Sequence, residues 1–245
     1  MSDELIRKHD GPVTRLTLNR PQKANALSAA LVESLIDAVE YAGTDGTRLL
    51  ILDGAGSHFC AGFDFTGFEG TSDGDLALRF LRIETLLQAL HHAPYETLAL
   101  AQGRTFGAGA DLIASCGVRG AAPDSTFRLP GLSFGVVLGT RRLAGRIGAD
   151  LAREILSASR TFDAGEALTI GFLTHVQAQD GWDALASAAR VRCDRLSLTA
   201  AAALHRHTVA DTRAEDMAAL ARSVSTPGLK ERIRIFREHS KQGSR

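Results

Sequence analysis

Between residue 12 and about residue 178, short apolar runs alternate with segments whose apolar residues recur every three or four positions. That alternation predicts an α/β domain in which helices cross over between strands. Val13 to Leu18 alternates in polarity and predicts a strand with one covered face. Leu49 to Leu52 and Thr97 to Ala101 are continuous apolar runs, expected of strands covered on both faces. Ser28, a good N-cap, opens a segment with Leu31, Leu35 and Val39 on one face and Glu33, Asp37 and Glu40 on the other, which predicts an amphipathic helix. Between Asp75 and His92, Leu76, Phe80, Ile83, Leu87 and Leu90 recur at spacings of four and three and predict a second helix, preceded by a mobile loop over Gly67 to Gly74. Asp163 and Glu166 form a capping-box-like pair ahead of a short helix ended by Gly171. After about residue 180 strand signals vanish and Ala-rich helical segments follow. The expected division is an α/β core over 1–180 and a helical region over 181–245, used for assembly or packed back on the core.

The length of 245 residues, 44% hydrophobic and 23% charged, fits one large domain, alone or with a small appendage. Basic and acidic residues balance at 28 each, so no summed field favours nucleic acid or an anionic membrane. The start, MSDELIRKHDGPV, lacks an apolar signal region, and no stretch approaches the roughly 20 apolar residues of a membrane span. A soluble, cytoplasmic protein is expected. Cys60, Cys116 and Cys193 are odd in number and lack CxxC spacing, which argues against a disulfide framework or zinc site. The histidines form no HExxH or HxxEH pattern, and His91-His92 lies at a helix end where a cation complements the dipole. No metal and no permanently bound cofactor are expected.

One internal repeat stands out. Phe59 to Asp64 and Phe106 to Asp111 both read F-x-A-G-x-D, each several residues after an apolar strand. A turn rich in glycine and alanine lets the backbone approach a ligand, and a helix opening there presents unpaired N–H groups with the positive dipole end behind them. Two such turns facing each other would hold an oxygen that gains negative charge, a kind of stabilisation worth roughly 3 to 4 kcal/mol per donor. Two tight strand-to-helix connections would need the same small residues.

Four segments in order, 19–28 (NRPQKANALS), 49–65 (LLILDGAGSHFCAGFDF), 97–130 (TLALAQGRTFGAGADLIASCGVRGAAPDSTFRLP) and 153–176 (REILSASRTFDAGEALTIGFLTHV), resemble the landmarks of the crotonase (enoyl-CoA hydratase/isomerase) superfamily. The resemblance implies a spiral of ββα units with trailing helices that build a homotrimer or dimer of trimers, acting on acyl-CoA thioesters through a stabilised enolate. It implies oxyanion-hole amides at Phe63 and Ala108, the latter often glycine in the family. It also implies a coenzyme A pocket using Lys23, Ala24, Ala26 and Leu27 with the backbone around Ala61, Gly62, Asp64 and Gly107. A lysine near the nucleotide phosphates makes sense as a point charge.

The chain departs from the family at the carboxylates. Hydration needs one group to activate water and another to deliver a proton, which hydratases supply with two glutamates. The first position falls on Asp111, one methylene shorter; the second falls on Gly131 of Phe127-Arg128-Leu129-Pro130-Gly131. The turn that follows is shortened to Val136–Leu143, which should remodel the acyl pocket. A single carboxylate still permits proton shuttling between carbons, decarboxylation or thioester cleavage. Asp111 is the expected acid/base, with helix bracing as its plain alternative; Asp64 is expected to be structural or near coenzyme A. Two other readings compete. One is a non-catalytic acyl-CoA-binding homologue. The other is a serine esterase built on Gly131-Leu132-Ser133-Phe134-Gly135, although Arg128 and Pro130 spoil the strand such an elbow needs. Neither glycine turn supplies a GxGxxG or GxxxxGK[ST] phosphate loop.

Overall fold

The computed structural model describes residues 4–242. Its strands are β1 (Leu5–Asp10), β2 (Val13–Leu18), β3 (Leu49–Gly54), β4 (Glu96–Ala101), β5 (Arg104–Phe106), β6 (Val118–Ala121), β7 (Thr126–Arg128), β8 (Thr161–Asp163) and β9 (His175–Val176). Its α-helices are α1 (Ala29–Ala42), α2 (Asp73–His91), α3 (Ala108–Ser115), α4 (Thr140–Ile147), α5 (Ala149–Ala158), α6 (Ala164–Thr169), α7 (Trp182–Cys193), α8 (Leu198–Thr208), α9 (Arg213–Val224) and α10 (Leu229–Gln242). The main sheet runs β1-β2-β3-β4-β6-β9, parallel except for the antiparallel edge pair β1–β2, and a small sheet runs β5-β7-β8.

The spiral follows from how the chain alternates between the sheets. β4 leads to β5 and then α3, and β6 leads to β7 and then α4. Earlier turns do the same with single bridges in place of short strands: after β2, Leu27 pairs with Phe63 before α1, and after β3, Cys60 pairs with Thr105 before α2. The two F-x-A-G-x-D turns are therefore equivalent points on successive coils.

The continuous apolar runs are covered twice, as parallel strands require. Leu50, Leu52, Ala99 and Ala101 enter the main core with Leu16, Leu18 and the buried faces of α1 to α3. Leu49, Ile51, Leu98 and Leu100 face the other way, against Leu185 and Ala189 of α7. The described residues after 181 pack in different ways. α7 covers the sheet, Leu220 and Val224 of α9 and Leu229 and Ile233 of α10 join the main core, and α8 has no buried residue.

The caps carry the helix starts. Ser28 Oγ accepts from the Leu31 amide at 3.0 Å. Ser72 and Asp75 exchange bonds in a full capping box, so α2 begins two residues before the predicted Asp75. The expected loop over Gly67 to Gly74 is a bound turn instead: Phe68 is buried in a 3₁₀ turn, and the Asp73 carboxylate accepts from the Leu229 and Lys230 amides (3.2 and 2.8 Å), capping α10. Polar composition alone does not reveal this long-range tie. Asp163 caps α6 through the Glu166 amide at 2.8 Å, but Glu166 turns to Arg160 at 2.6 Å, so only half of that box forms. α2 and α4 are joined by a buried pair in which Arg142 donates to both Glu84 oxygens. His91 is no cation at its helix end; burial and the nearby Arg146 and Arg142 charges lower its pKa to about 4.

Candidate active site

The two glycine turns interlock. A Cβ on Gly62 would lie 2.5 Å from the Phe106 carbonyl oxygen and 3.2 Å from the Ala108 nitrogen, while a Cβ on Gly109 would lie 2.4 Å from the Cys60 carbonyl oxygen. Glycine therefore stands at the same place in both repeats because each turn presses its backbone on the other. Gly62 adds a positive φ of 87°. Leu27 bonds to both neighbours of Phe63 (Leu27 N–H to Gly62 O, 2.7 Å; Asp64 N–H to Leu27 O, 3.2 Å), which leaves the Phe63 amide directed to the opposite side. Ala108 is the first residue of α3, where an amide has no intrahelical acceptor. Among the described residues neither amide has a hydrogen-bond partner.

Phe63, Ala108, Asp111, Ala61 and Gly107 line one cavity of 330 Å³. Its walls are largely aromatic, with Phe65, Phe80, Phe106, Phe134 and Phe236 joining Phe63, and Leu129, Leu138 and Leu156 completing them. Phe63 stacks on Phe80 (centroids 4.6 Å apart), and the Arg79 guanidinium lies over the Phe63 ring, 4.0 Å from its centroid. Phe236 and Ser240 reach the cavity from α10.

The repeat's two aspartates diverge because only the second turn opens a helix. In α3, positions 108 and 111 share a face, so Asp111 stands beside the Ala108 amide. Its carboxyl is buried, and Oδ1 has no hydrogen-bond partner among the described residues. Burial drives its pKa up to about 8, with Arg142 opposing and Glu84 reinforcing the rise. Gly139, at φ 64°, packs against this carboxyl so closely that a Cβ there would lie 1.9 Å from Oδ1. Asp64 instead pairs with Arg20 at 2.8 Å and accepts from the Thr66 amide at 2.8 Å. Burial opposes its ionisation, but those bonds and the Arg20 charge hold it below the usual carboxylate range. It braces the loop and does not line the cavity.

Lys23, Ala24, Ala26 and Leu27 lie beside the first turn and outside the cavity: Ala61 N–H donates to Ala24 O at 2.8 Å, and Lys23 is exposed at the end of a 3₁₀ turn. The sequence reading missed what holds this stretch. Asn25, at φ 53°, is fully buried; its side chain accepts from the Arg20 amide and donates to the Ala55 and His58 carbonyls at 2.8 to 2.9 Å. The tolerance of asparagine for left-handed backbone was the available signal.

Gly131 lines the cavity, and a Cβ on it would lie 3.0 Å from the Val136 carbonyl oxygen. The Gly131–Phe134 segment is a 3₁₀ turn with Ser133 exposed, and the next helix begins only at Thr140. No strand–Ser–helix elbow forms here, and no histidine lines the cavity.

The family model for enoyl-CoA hydratase/isomerase matches residues 8–237. A Bordetella parapertussis protein of the enoyl-CoA hydratase/isomerase class shares the fold at TM-score 0.95 with 50% identity, over 96% of this chain and 98% of that one. Mouse ethylmalonyl-CoA decarboxylase is 34% identical over 181 residues, 71% of this chain and 56% of the mouse protein. An Arabidopsis thaliana peroxisomal Delta(3,5)-Delta(2,4)-dienoyl-CoA isomerase is 29% identical over 71% of this chain and 68% of its own length. With the spiral of ββα units and the interlocked glycine turns, these likenesses establish that the chain belongs to the enoyl-CoA hydratase/isomerase family of the crotonase superfamily.

Proposed function

We propose that the chain acts on an acyl-CoA thioester whose carbonyl oxygen accepts hydrogen bonds from the Phe63 and Ala108 amides, with the acyl group in the phenylalanine-lined cavity. As a proton leaves the carbon beside the carbonyl, charge builds on that oxygen, and fixed donors stabilise it without reorganising. Asp111 is the group that moves the proton. The coenzyme A moiety runs along Lys23 to Leu27 and the Ala61–Asp64 turn, with Asp64 as a brace, and the helical region supports a homotrimer or dimer of trimers. The observation that carries the reading is the union of two unpaired amides and one unpaired buried carboxyl in a single apolar cavity. With glycine at 131, proton transfer between carbons is favoured over rapid hydration, because general acid/base assistance by a second group, typically worth about 10² to 10⁴-fold, is missing.

The test is exchange of α-protons of a saturated acyl-CoA with deuterated water. Ala108→Pro removes one donor at a first-turn position that accepts proline, so exchange should fall about 10²-fold or more while free coenzyme A still binds. Unchanged exchange in the folded variant would refute the oxyanion assignment. Tight thioester binding with no exchange or turnover in the native protein would favour the non-catalytic homologue.

A further inference from the structure

One charged group of the cavity wall takes no part in the reading above. Arg128 lines the cavity from the end of β7. Side chains alternate along a strand: Phe127 turns into the core against Phe162 and Phe172, so Arg128 leaves by the opposite face. Its register partner on β5 is Phe106, which lines the same cavity. The guanidinium is held at one corner, where Nε donates to the Ser159 carbonyl at 2.8 Å, just past the end of α5 and three residues beyond the lining residue Leu156. Its two Nη groups have no hydrogen-bond partner among the described residues, and neither is sealed from solvent. No carboxylate pairs with Arg128 among the described residues: Glu154 and Glu166, on the helices before and after β8, are both held by Arg160. Asp111, the other ionisable residue of the lining, has Arg142 and Glu84 as its charged neighbours.

We propose that Arg128 is a specificity-determining residue that receives a second carboxylate on the acyl group, which makes the substrate the monothioester of a short dicarboxylic acid. This rests on the acyl-CoA reading of the site. A cation beside leucine and phenylalanine walls is costly unless an anion meets it, and a carboxylate meets a guanidinium through two parallel N–H···O bonds. With Nε engaged, the two Nη groups form the free edge of that fork. Placement sets the length of the acyl group. Gly107 N–H donates to the Arg128 carbonyl at 2.8 Å, so the Arg128 backbone is bonded to the residue before the Ala108 amide. Paired strands lie about 4.8 Å apart, and the arginine stem spans the rest. A guanidinium this near a thioester pinned at Ala108 is met by a carboxylate a few carbons along the chain.

The experiment measures binding of malonyl-, succinyl- and glutaryl-CoA, each beside its methyl ester of the same length, to wild type, Arg128→Gln and Arg128→Met. Wild type should bind at least one of the three acids about 10- to 100-fold more tightly than its ester, the range of a hydrogen-bonded charge. Both variants should bring that ratio close to one. The esters should bind equally to all three proteins, which also reports that the variants fold. A ratio near one at every length in wild type overturns the inference, as does a preference that survives in either folded variant. Absence of binding by any of the acids or esters to wild type overturns the functional reading, and the inference with it.

Discussion

Asp111 and Asp64 hold the same place in a repeated hexapeptide yet live in opposite electrostatic surroundings, one unpaired, the other bound to Arg20. The difference has a measurable sign. Between the ordinary aspartate range near 3.8 and the raised value near 8, native Asp111 keeps a proton that the unfolded chain has released. Its contribution to stability is therefore favourable at low pH and is lost as pH rises across that window. Urea unfolding at pH 5 and pH 8 should show wild type losing more stability than Asp111→Asn over that interval; equal losses would mean Asp111 is ionised throughout. If Asp111 is the base in α-proton exchange it must be charged, so exchange should climb towards pH 8, and Asp111→Asn should lower it about 10² to 10⁴-fold with coenzyme A binding kept. The interlocked glycines make a second prediction. Gly109→Ala places a methyl 2.4 Å from the Cys60 carbonyl oxygen, and Gly62→Ala adds left-handed strain to a similar clash. Each should cost about 1 to 3 kcal/mol or more, read by thermal unfolding, and an unaltered midpoint would mean the turns do not press together. The repeat marked the glycines in the sequence, and the family resemblance marked Asp111.

α2 and α4 meet through Glu84 and Arg142, both almost wholly buried. Removing one partner of such a pair leaves a stranded charge and costs about 3 to 5 kcal/mol, whereas replacing both by apolar residues is often neutral. Arg142→Met should lower the urea midpoint strongly, and Arg142→Met with Glu84→Leu should recover most of the loss; additive losses would argue that the pair does not act as a unit. The long elements were readable because amphipathic spacing in α1 and α2 and the twice-covered runs of β3 and β4 impose patterns over many residues. β5, β7 and β8 have three residues each, too few for a period to emerge. β1 was missed for another reason. It is an edge strand, mostly exposed and carrying Arg7, Lys8 and Asp10, and it is defined by pairing with β2. The Gly67–Gly74 segment was read as mobile because its partner, the start of α10, lies far along the chain.

At the scale of the molecule, α8 is, among the described residues, the α-helix without a buried residue, and it exposes about half of Leu198 and of Leu204. If residues after 181 build a trimer, Leu198→Glu with Leu204→Glu should shift the mass measured by light scattering towards the monomer; an unchanged mass would place the interface elsewhere. The family was legible from ordered landmarks, but the cavity's composition was not, since its six phenylalanines are drawn from positions 63 to 236 and meet only through the spiral. That convergence, with Asp73 anchoring the start of α10 while Phe236 and Ser240 reach the cavity, sets a schedule during synthesis. Domains form from the N-terminus as the chain emerges at about 5 to 20 residues per second, so the amides and Asp111 are made well before the helix that completes their enclosure. The cavity thus lacks its last wall until α10 has been made and docked.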